Sequence, residues 1–271
     1  MVFSASGYWF DVVSNIMVKE GNLRLLADYW LLGLGTGHRD LHTLLEDAEE
    51  VTGTAWTIRC FTGRYKGLRV STVAMAGGGG YAEWAIAMAY RRGVKALIGV
   101  GYCGALMEHI EIGDVILPLA SIRDENTSDH YVDERFPAVA DYNLLKALED
   151  ELKARGISPH IGLIITTSAT FSESKHWAEE LSNKGVLAVE CETSVIYVLS
   201  RLCRIPASTV LVVSDHVLRG EGPLSRRDLI KKRYLEAARA SLEVLHKIAE
   251  GAIALGQDPP RLREPSARAK L

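Results

Sequence analysis

Two short stretches of this chain place acidic side chains at the ends of apolar segments. The first reads A-V-E-C-E-T at 188–193 and holds Glu190 and Glu192 two residues apart. Residues two apart in an extended segment share one face, so both carboxylates are expected to point into a single cleft. The second is the apolar run at 209–213, which leads into Asp215. Sheets of α/β proteins bind ligands at such strand ends. Three acids there suit a ligand with several hydroxyls and a basic nitrogen, such as a nucleoside.

The segments that carry these acids belong to an alternation of strand-like and helix-like stretches, which predicts an α/β fold. The expected strands cover 30–34, 54–61, 68–74, 96–100, 114–122, 162–167, 185–189 and 207–213. Helices are expected from the loop at 35–39 to about 49, from the glycine run at 77–80 to 92, over 142–155, near 173–183, up to about 202, and over about 224–253. One domain is expected over 1–256. The segment 257–271 has prolines, mixed charge and little to bury, which predicts a flexible tail.

The composition excludes several classes of function. Of 271 residues, 48% are apolar and 24% charged, as in ordinary globular proteins. The 31 Lys and Arg do not outnumber the 34 Asp and Glu, so the basic excess of a nucleic-acid binder is missing. Neither an apolar run of the ~18 residues that a membrane helix needs nor the basic start of a signal peptide is evident. A cytoplasmic enzyme without nucleic-acid or membrane partners is therefore expected. Four scattered cysteines lack metal-ligand spacing, so no metal is predicted and small buried hydrophobes are expected at Cys60, Cys103, Cys191 and Cys203.

Three further segments have more than one interpretation. Gly99–Gly104 matches the dinucleotide fingerprint G-x-G-x-x-G, but that site needs a helix opening at its last glycine, and 105–112 is too short for one. We therefore interpret it as a tight turn, or as a turn that lines a ligand cleft. The loop at 35–39 can hold an anion on its backbone N–H groups with charge from Arg39, or is a plain glycine turn. The polar run at 123–131 is a solvated loop or a ligand contact.

Six motifs, taken in order, resemble the nucleoside phosphorylase family, which includes purine nucleoside, uridine and methylthioadenosine phosphorylases and related nucleosidases. They are F-T-G-R-Y-K-G at 61–67, C-G-A-L at 103–106, G-D-V-I at 113–116, R-D-E-N-T-S-D-H-Y at 123–131, A-V-E-C-E-T at 188–193 and V-V-S-D-H at 212–216. The resemblance spans about 31–253. It implies a three-layer α/β/α sandwich around a central mixed, twisted sheet, and a homo-oligomer built as a dimer or as a trimer of dimers. It also implies cleavage of a nucleoside with inorganic phosphate as co-substrate and no other cofactor.

The resemblance implies a role for residues around the sugar. Glu192 matches the carboxylate that binds the ribose hydroxyls, and Glu190 matches the neighbouring acid. Cys191 takes the position under the sugar that methionine usually holds. Phe171 lies where the family places an aromatic ring against the base, with a register that also admits Thr170.

The base and phosphate ends follow from the same resemblance. Asp215 matches the residue that donates a proton to purine N7, although its local pattern also fits a helix N-cap. Arg227, or Arg226 in a register one residue earlier, matches the arginine that assists it. Gly35 and Arg39 match the phosphate loop. The Ser-Asp pair at 214–215 favours purine nucleosides, whereas the 123–131 run is similar to a uridine phosphorylase-like branch.

Several phosphate contacts of the family are replaced. Gly99 stands where the family has an arginine, and Tyr102, expected at the substrate site, stands where it has serine or threonine. Arg123, at the end of the next strand, is expected to supply the missing charge. Hydrolysis by water is an alternative, but the carboxylate that hydrolytic relatives carry in the first loop is absent before Asp40. A catalytically silent nucleoside-binding paralogue is the other alternative.

Overall fold

Ten strands and six α-helices are found in the part of the chain that the structure, a computed structural model, describes: residues 2–3, 7–35, 40–54 and 57–255. The strands are β1 (Tyr29–Gly33), β2 (Glu46–Glu50), β3 (Ile58–Tyr65), β4 (Leu68–Met75), β5 (Ala96–Ala105), β6 (Val115–Asp124), β7 (Ala138–Val139), β8 (His160–Thr167), β9 (Ala188–Glu190) and β10 (Ala207–His216). The helices are α1 (Gly7–Met17), α2 (Gly79–Arg92), α3 (Tyr142–Ala154), α4 (Lys175–Asn183), α5 (Thr193–Cys203) and α6 (Arg227–Ala249).

The strands form one mixed sheet centred on β5, which confirms the mixed α/β fold. One edge of β5 pairs with β10 along its length, and the other pairs first with β1 and then with β9. β4, β3 and β2 continue the sheet beyond β1. On the other side β10, β6, β8 and β9 pair in succession, so these strands and β5 close a ring. The sequence did not predict this closure, which brings the ends of β5, β8, β9 and β10 together.

The helices cover the sheet in two groups. α6 packs on β5 and β10 and also contacts α3, whereas α5 packs on β6 and β10 and contacts α2. α2 ends at Gly93, which is left-handed with φ 77°, and its N–H satisfies carbonyls of the last helical turn. The strands inside these layers are almost fully apolar, with the whole of 96–101 buried in β5. This burial on both faces is the reason that β5 reads as a continuous apolar run in the sequence.

One expected helix is wrong. The residues up to 49 form a short 3-10 turn, Leu41–Leu44, followed by strand β2. The sequence E-D-A-E-E of β2 has helix-forming residues, but it pairs antiparallel with β3 at the edge of the sheet. There, Arg59 of β3 binds Glu50 through two N–H groups, at 2.6 and 2.9 Å. Charged side chains are usual on an edge strand, where they hinder pairing with another chain.

Other expectations concern the cysteines, membrane-spanning helices and the extent of the domain. Cys60, Cys103 and Cys203 are buried and Cys191 is half-buried, all as free thiols. No helix among the described residues is both long and apolar enough to cross a bilayer. A single domain over 1–256 stays a prediction, and the expected tail at 257–271 lies outside the described residues.

Candidate functional site

A cleft opens where β5 changes its neighbour. β1 pairs with β5 as far as Gly33, opposite Val100, and β9 pairs with it from Gly104 onward. The segments that follow β1, β4, β8 and β9 surround a cleft of about 490 Å³ at this point. Such a switch between neighbouring strands is where α/β sheets bind ligands. The cleft is lined by Leu34, Gly35, Gly77, Gly78, Tyr102, Thr167, Ser168, Thr170, Glu190, Cys191 and Glu192.

Glu190 lies at the end of β9 and is buried in the wall of the cleft. Its carboxylate accepts the backbone N–H groups of Glu192 and Thr193, each at 2.8 Å, and the hydroxyl of Thr166. The two N–H groups belong to the start of α5, where helical donors otherwise have no partner. Burial raises the pKa of Glu190, and these donors oppose the rise. Glu190 therefore holds the beginning of α5 in place beside the cleft.

Glu192 is buried too, and it reaches across the cleft to the glycine run. The N–H of Gly78 donates to its Oε1 at 2.5 Å. Gly78 has φ 107°, and a Cβ at Gly77 would lie 3.1 Å from the same oxygen, so side chains there would hinder the contact. Burial, and then the charge of Glu190, raise the pKa of Glu192 to about 8.

Both acids line one cleft, but the reasoning from extended spacing is wrong in detail. Glu192 has φ −133° and ψ −32° and is the N-cap residue of α5, so it is not a second step of the same strand. The chain turns after Glu190, and that turn aims both side chains at the cleft.

Cys191 and Thr170 lie beside the acids, whereas Phe171 does not point inward. The sulfur of Cys191 is 3.9 Å from the Thr170 hydroxyl, and burial with the charges of the adjacent glutamates raises the pKa of this thiol to about 12. The thiol is therefore neutral at physiological pH. Phe171 follows on the 3-10 turn Thr170–Ser172 and is fully exposed. Of the two registers considered for the base contact, only Thr170 lines the cleft.

Asp215 lies near the end of β10, next to Gly104 of β5. The hydroxyl of Ser214 donates to its Oδ1 at 2.6 Å. A Cβ at Gly104 would lie 2.8 Å from its Oδ2, so the glycine makes room for the carboxylate. Gly104 lies between the two sets of acids, because it pairs with Val189, the neighbour of Glu190, on one edge and with Asp215 on the other. Burial, and then the charges of Asp215 and Glu190, raise the pKa of the neighbouring Cys103 thiol. Asp215 is a strand residue here, so the N-cap alternative is wrong.

Glu173 is a further acid near Asp215 that the sequence did not single out. Burial, and then the charge of Asp215, raise its pKa to about 7. The sequence placed it at the start of an expected helix, whereas it precedes α4 in the segment after β8. Its position in the sequence could have indicated a role, because Glu173 comes after β8, and Glu190 and Asp215 also lie at strand ends.

A second cavity of about 650 Å³ shares Tyr102 with the cleft. The ring of Tyr102 packs on Tyr234 with centroids 5.1 Å apart. Arg227 and Lys231, from the first turns of α6, line this cavity together with Ser214. Arg226 is not among the lining residues, so the geometry favours Arg227 of the two expected arginines.

The profile of the phosphorylase superfamily matches residues 31–252. The chain belongs to this superfamily. A DeoD-type purine nucleoside phosphorylase from Shewanella denitrificans is 33% identical over 181 residues, which are 66% of this chain and 76% of the relative. A DeoD-type purine nucleoside phosphorylase from Bacillus thuringiensis (strain Al Hakam) is 34% identical over 163 residues, or 59% and 69% of the two chains.

The fold is also similar to that of solved structures in the superfamily. Uridine phosphorylase from Vibrio fischeri ES114, complexed with 6-hydroxy-1-naphthoic acid, superposes with a TM-score of 0.79 at 22% identity over 88% of this chain and 99% of that one. A second structure of this uridine phosphorylase gives a TM-score of 0.76 at 22% identity, over 86% and 96%. The nucleoside phosphorylase type of fold expected from the motifs is therefore confirmed.

Against the superfamily pattern, the space beside Gly99 is filled. A Cβ at Gly99 would lie 2.9 Å from both Leu34 Cδ1 and Thr209 Cγ2. Two residues along β5, a Cβ at Gly101 would lie 2.9 Å from Leu34 Cβ. Leu34 therefore lies over both glycines, and an arginine at 99 would require it to move. The apolar side chain of Leu34 therefore occupies space that the family's arginine would need at position 99.

Arg123 does not supply that charge in the structure. Its guanidinium binds the Ser128 hydroxyl at 2.8 Å, the carbonyls of residues 133 and 136 at 2.8 and 3.0 Å, and the Asp129 carboxylate. Its side chain is 5% exposed, and Arg123 is not among the residues that line the cleft. The expectation of a phosphate-binding arginine is thus corrected: Arg123 organises the polar loop that follows β6.

The 123–131 run is correspondingly a folded loop. Glu125 is buried and accepts the N–H of Ser128 at 3.0 Å and the hydroxyl of Ser194 from α5 at 3.0 Å. Of the expected phosphate loop, Gly35 lines the cleft with φ 83°. Arg39 lies outside the described residues.

Proposed function

We propose that this chain cleaves the N-glycosidic bond of a purine nucleoside with inorganic phosphate, giving the free base and ribose 1-phosphate. The observation that carries the proposal is the placement of two sets of acids on either side of β5. Glu190 and Glu192, which line the cleft, follow Val189 on one edge of Gly104, and Asp215 pairs with Gly104 on the other edge. A sugar and a base held between them would expose the bond that joins the two.

Glu192 is the proposed sugar-binding residue. In its ionised form the carboxylate can accept hydrogen bonds from two neighbouring ribose hydroxyls, each worth about 1.5–3 kcal/mol. These donors favour the ionised form and so oppose the burial that raises the pKa of Glu192 to about 8. Glu190 holds the start of α5 and therefore the position of Glu192. Cys191 offers a neutral thiol to the apolar face of the ribose.

Asp215 is the proposed proton donor to the base. Departure of a purine leaves negative charge on the ring, which a proton on N7 removes, and general acid help of this kind contributes about 10²–10⁴ in rate. The Ser214 hydroxyl orients the carboxyl at 2.6 Å. Arg227, in the adjoining cavity, is the proposed assistant of Asp215. The purine class is supported by relatives at 33–34% identity that are named purine nucleoside phosphorylases.

Phosphate is proposed to bind on the side of Tyr102 where the cations lie. Gly35 begins a glycine loop whose N–H groups can hold an anion, and Arg39 of that loop supplies charge. Arg227 and Lys231 line the cavity that shares Tyr102 with the cleft. These groups are proposed to replace the charge of the arginine that the family has in place of Gly99.

Hydrolysis is the second candidate, and one observation favours it. Leu34 fills the space beside Gly99 and makes that wall of the cleft apolar. Water needs no cationic wall to bind. A catalytically silent nucleoside-binding protein would also tolerate glycine in place of the family's arginine at position 99. Such a protein would, however, have no use for a proton donor at Asp215.

A homo-oligomer in the cytoplasm is part of the proposal. Phe171 supports it, since this large apolar side chain is fully exposed at the rim of the cleft. A neighbouring subunit that covers Phe171 would also close the cleft. Sedimentation of the purified protein tests this, and a monomer at working concentration would contradict it.

The decisive experiment incubates the protein with inosine or uridine, with and without inorganic phosphate. Release of the base is followed by absorbance, and ribose 1-phosphate is distinguished from ribose by phosphorus NMR. Phosphate-dependent hypoxanthine release with ribose 1-phosphate is expected. Equal release without phosphate would establish hydrolysis, and nucleoside binding without release would establish the silent alternative. Asp215→Asn should lower the rate by about 10²–10⁴, with Asp150→Asn on the exposed face of α3 as the matched control.

A further inference from the structure

Another pocket, of about 350 Å³, lies between α1 and α2 and shares no lining residue with the cleft or with the cavity beside Tyr102. Its size is at the lower end of the range for small-molecule sites. Five aromatic residues line it: Phe3, Trp9, Phe10, Trp84 and Tyr131. The function proposed above makes no use of this pocket, so its lining calls for its own explanation.

Three of these aromatic rings contact one another edge to face rather than in a parallel stack. Phe3 meets Phe10 with centroids 6.1 Å apart at 83°, and it meets Tyr131 at 5.6 Å and 76°. These are edge-to-face contacts between neighbouring rings, so Phe3, Phe10 and Tyr131 form one aromatic cluster in the lining of the pocket. A ring face is the electron-rich part of an aromatic side chain and attracts cations. Phe10 already binds one, since the Arg91 guanidinium lies 5.2 Å from its centroid.

One acid completes the lining. Glu83 is half-buried, lines the pocket and accepts the hydroxyl of Tyr131. Within the described ranges, no Lys, Arg or His forms an ion pair with Glu83. The neighbouring Arg91 is paired with Asp11 at 3.3 Å. A carboxylate partly removed from water is costly without a counter-charge, so the pocket has a negative charge to offer.

We infer that this aromatic pocket binds a small organic cation that carries an alkylated ammonium group. The aromatic rings bind the alkyl groups and the diffuse charge together, and Glu83 supplies the opposite charge. A neutral apolar molecule would gain only the first of these contributions. An anion would be repelled by both the ring faces and the carboxylate.

The test compares choline with its neutral isostere 3,3-dimethylbutan-1-ol, by calorimetry on the full chain. Saturable choline binding is expected, with the isostere weaker by about tenfold or more, as cation–π attraction in a desolvated site predicts. Equal affinities would overturn the inference, because they would make the pocket merely apolar. Absence of saturable choline binding would overturn it as well.

Two variants locate the recognition. Glu83→Gln keeps an acceptor for Tyr131 but removes the charge, and Trp9→Leu removes a ring that is 57% exposed. Each should weaken choline binding by about tenfold, whereas Glu179→Gln, on the exposed face of α4, should not. Wild-type choline affinity in both pocket variants would overturn the inference. Nucleoside cleavage should be unchanged in all three, so the outcome is independent of the cleft.

Discussion

Replacing Glu192 with glutamine is expected to weaken nucleoside cleavage strongly and, at the same time, to stabilise the unliganded protein at alkaline pH. Burial and the charge of Glu190 raise the pKa of Glu192 from its ordinary 4.5 to about 8. A carboxyl with a raised pKa binds its proton more tightly in the folded chain than in the unfolded one. The contribution of Glu192 to the free energy of unfolding is therefore greatest below pH 4.5 and is lost as the pH rises from 4.5 to about 8.

The size of the effect follows from the pKa. One pKa unit corresponds to about 1.4 kcal/mol, so the change from 4.5 to about 8 sets an upper limit of roughly 5 kcal/mol. Glu190 shares this cost, because a proton on either acid relieves the other, and we expect roughly 2–4 kcal/mol above pH 8. Glutamine carries no charge at any pH and still accepts the N–H of Gly78, so the variant should lose this dependence.

The pH dependence that Glu192 contributes to stability is measured by urea unfolding of wild type and Glu192→Gln at several values between about pH 5 and pH 8. The stability difference between the two proteins should grow in favour of the variant as the pH rises. Glu46→Gln is the matched control, since Glu46 is exposed on β2 and forms no ion pair among the described residues. Parallel curves for wild type and Glu192→Gln would refute the reasoning. In the activity assay, loss of the charged acceptor should lower kcat/KM by about 10²-fold or more.

Three further changes test other parts of the site. Asp215→Asn should lower kcat by about 10²–10⁴ while nucleoside still binds in calorimetry, and full turnover would exclude Asp215 as the proton donor. Gly99→Ala should destabilise by about 1–3 kcal/mol in urea, because its Cβ meets Leu34 and Thr209 at 2.9 Å, and adding Leu34→Ala should make the two changes non-additive. Arg123→Ala should destabilise by about 2–3 kcal/mol but leave the KM for phosphate unchanged; a raised KM in the folded variant would restore Arg123 as a phosphate ligand.

The sequence located the acids of the site better than their surroundings. Glu190, Glu192 and Asp215 each follow an apolar run, and strand ends meet at the same place in an α/β sheet. Local pattern was enough for them. The sequence could not predict that Leu34 fills the space beside Gly99, because the two residues meet only through the pairing of β1 with β5.

Two other errors have the same physical origin. The segment 46–50 favours a helix by composition, but pairing with β3 overrides local propensity. Arg123 lies at the end of β6, as Glu190 and Asp215 lie at the ends of β9 and β10, yet its guanidinium turns to the carbonyls of the loop that follows. Side-chain direction after a strand end depends on which backbone groups lack partners nearby, and that is a property of the folded loop.

The acids also bear on how an anion can bind beside them. Glu190, Glu192, Glu173 and Asp215 together would repel phosphate if all were ionised. The pKa of Glu173 is raised to about 7 by burial and by Asp215, so its charge appears as the pH passes through neutrality. Phosphate should therefore bind more weakly above about pH 7 than its own ionisation accounts for. Glu173→Gln removes that charge, whereas phosphate ionises identically with both proteins.

The ratio of the two KM values for phosphate consequently isolates Glu173. It should be close to one at about pH 6, where Glu173 is protonated, and should rise in favour of the variant toward pH 8 as wild type gains the charge. Two like charges in one half-buried region, here Glu173 and phosphate, repel by about 1 kcal/mol or more. A severalfold change in the ratio of the KM values is therefore expected. A ratio that stays constant over this range would mean that phosphate binds too far from Glu173 and Asp215 to sense their charge.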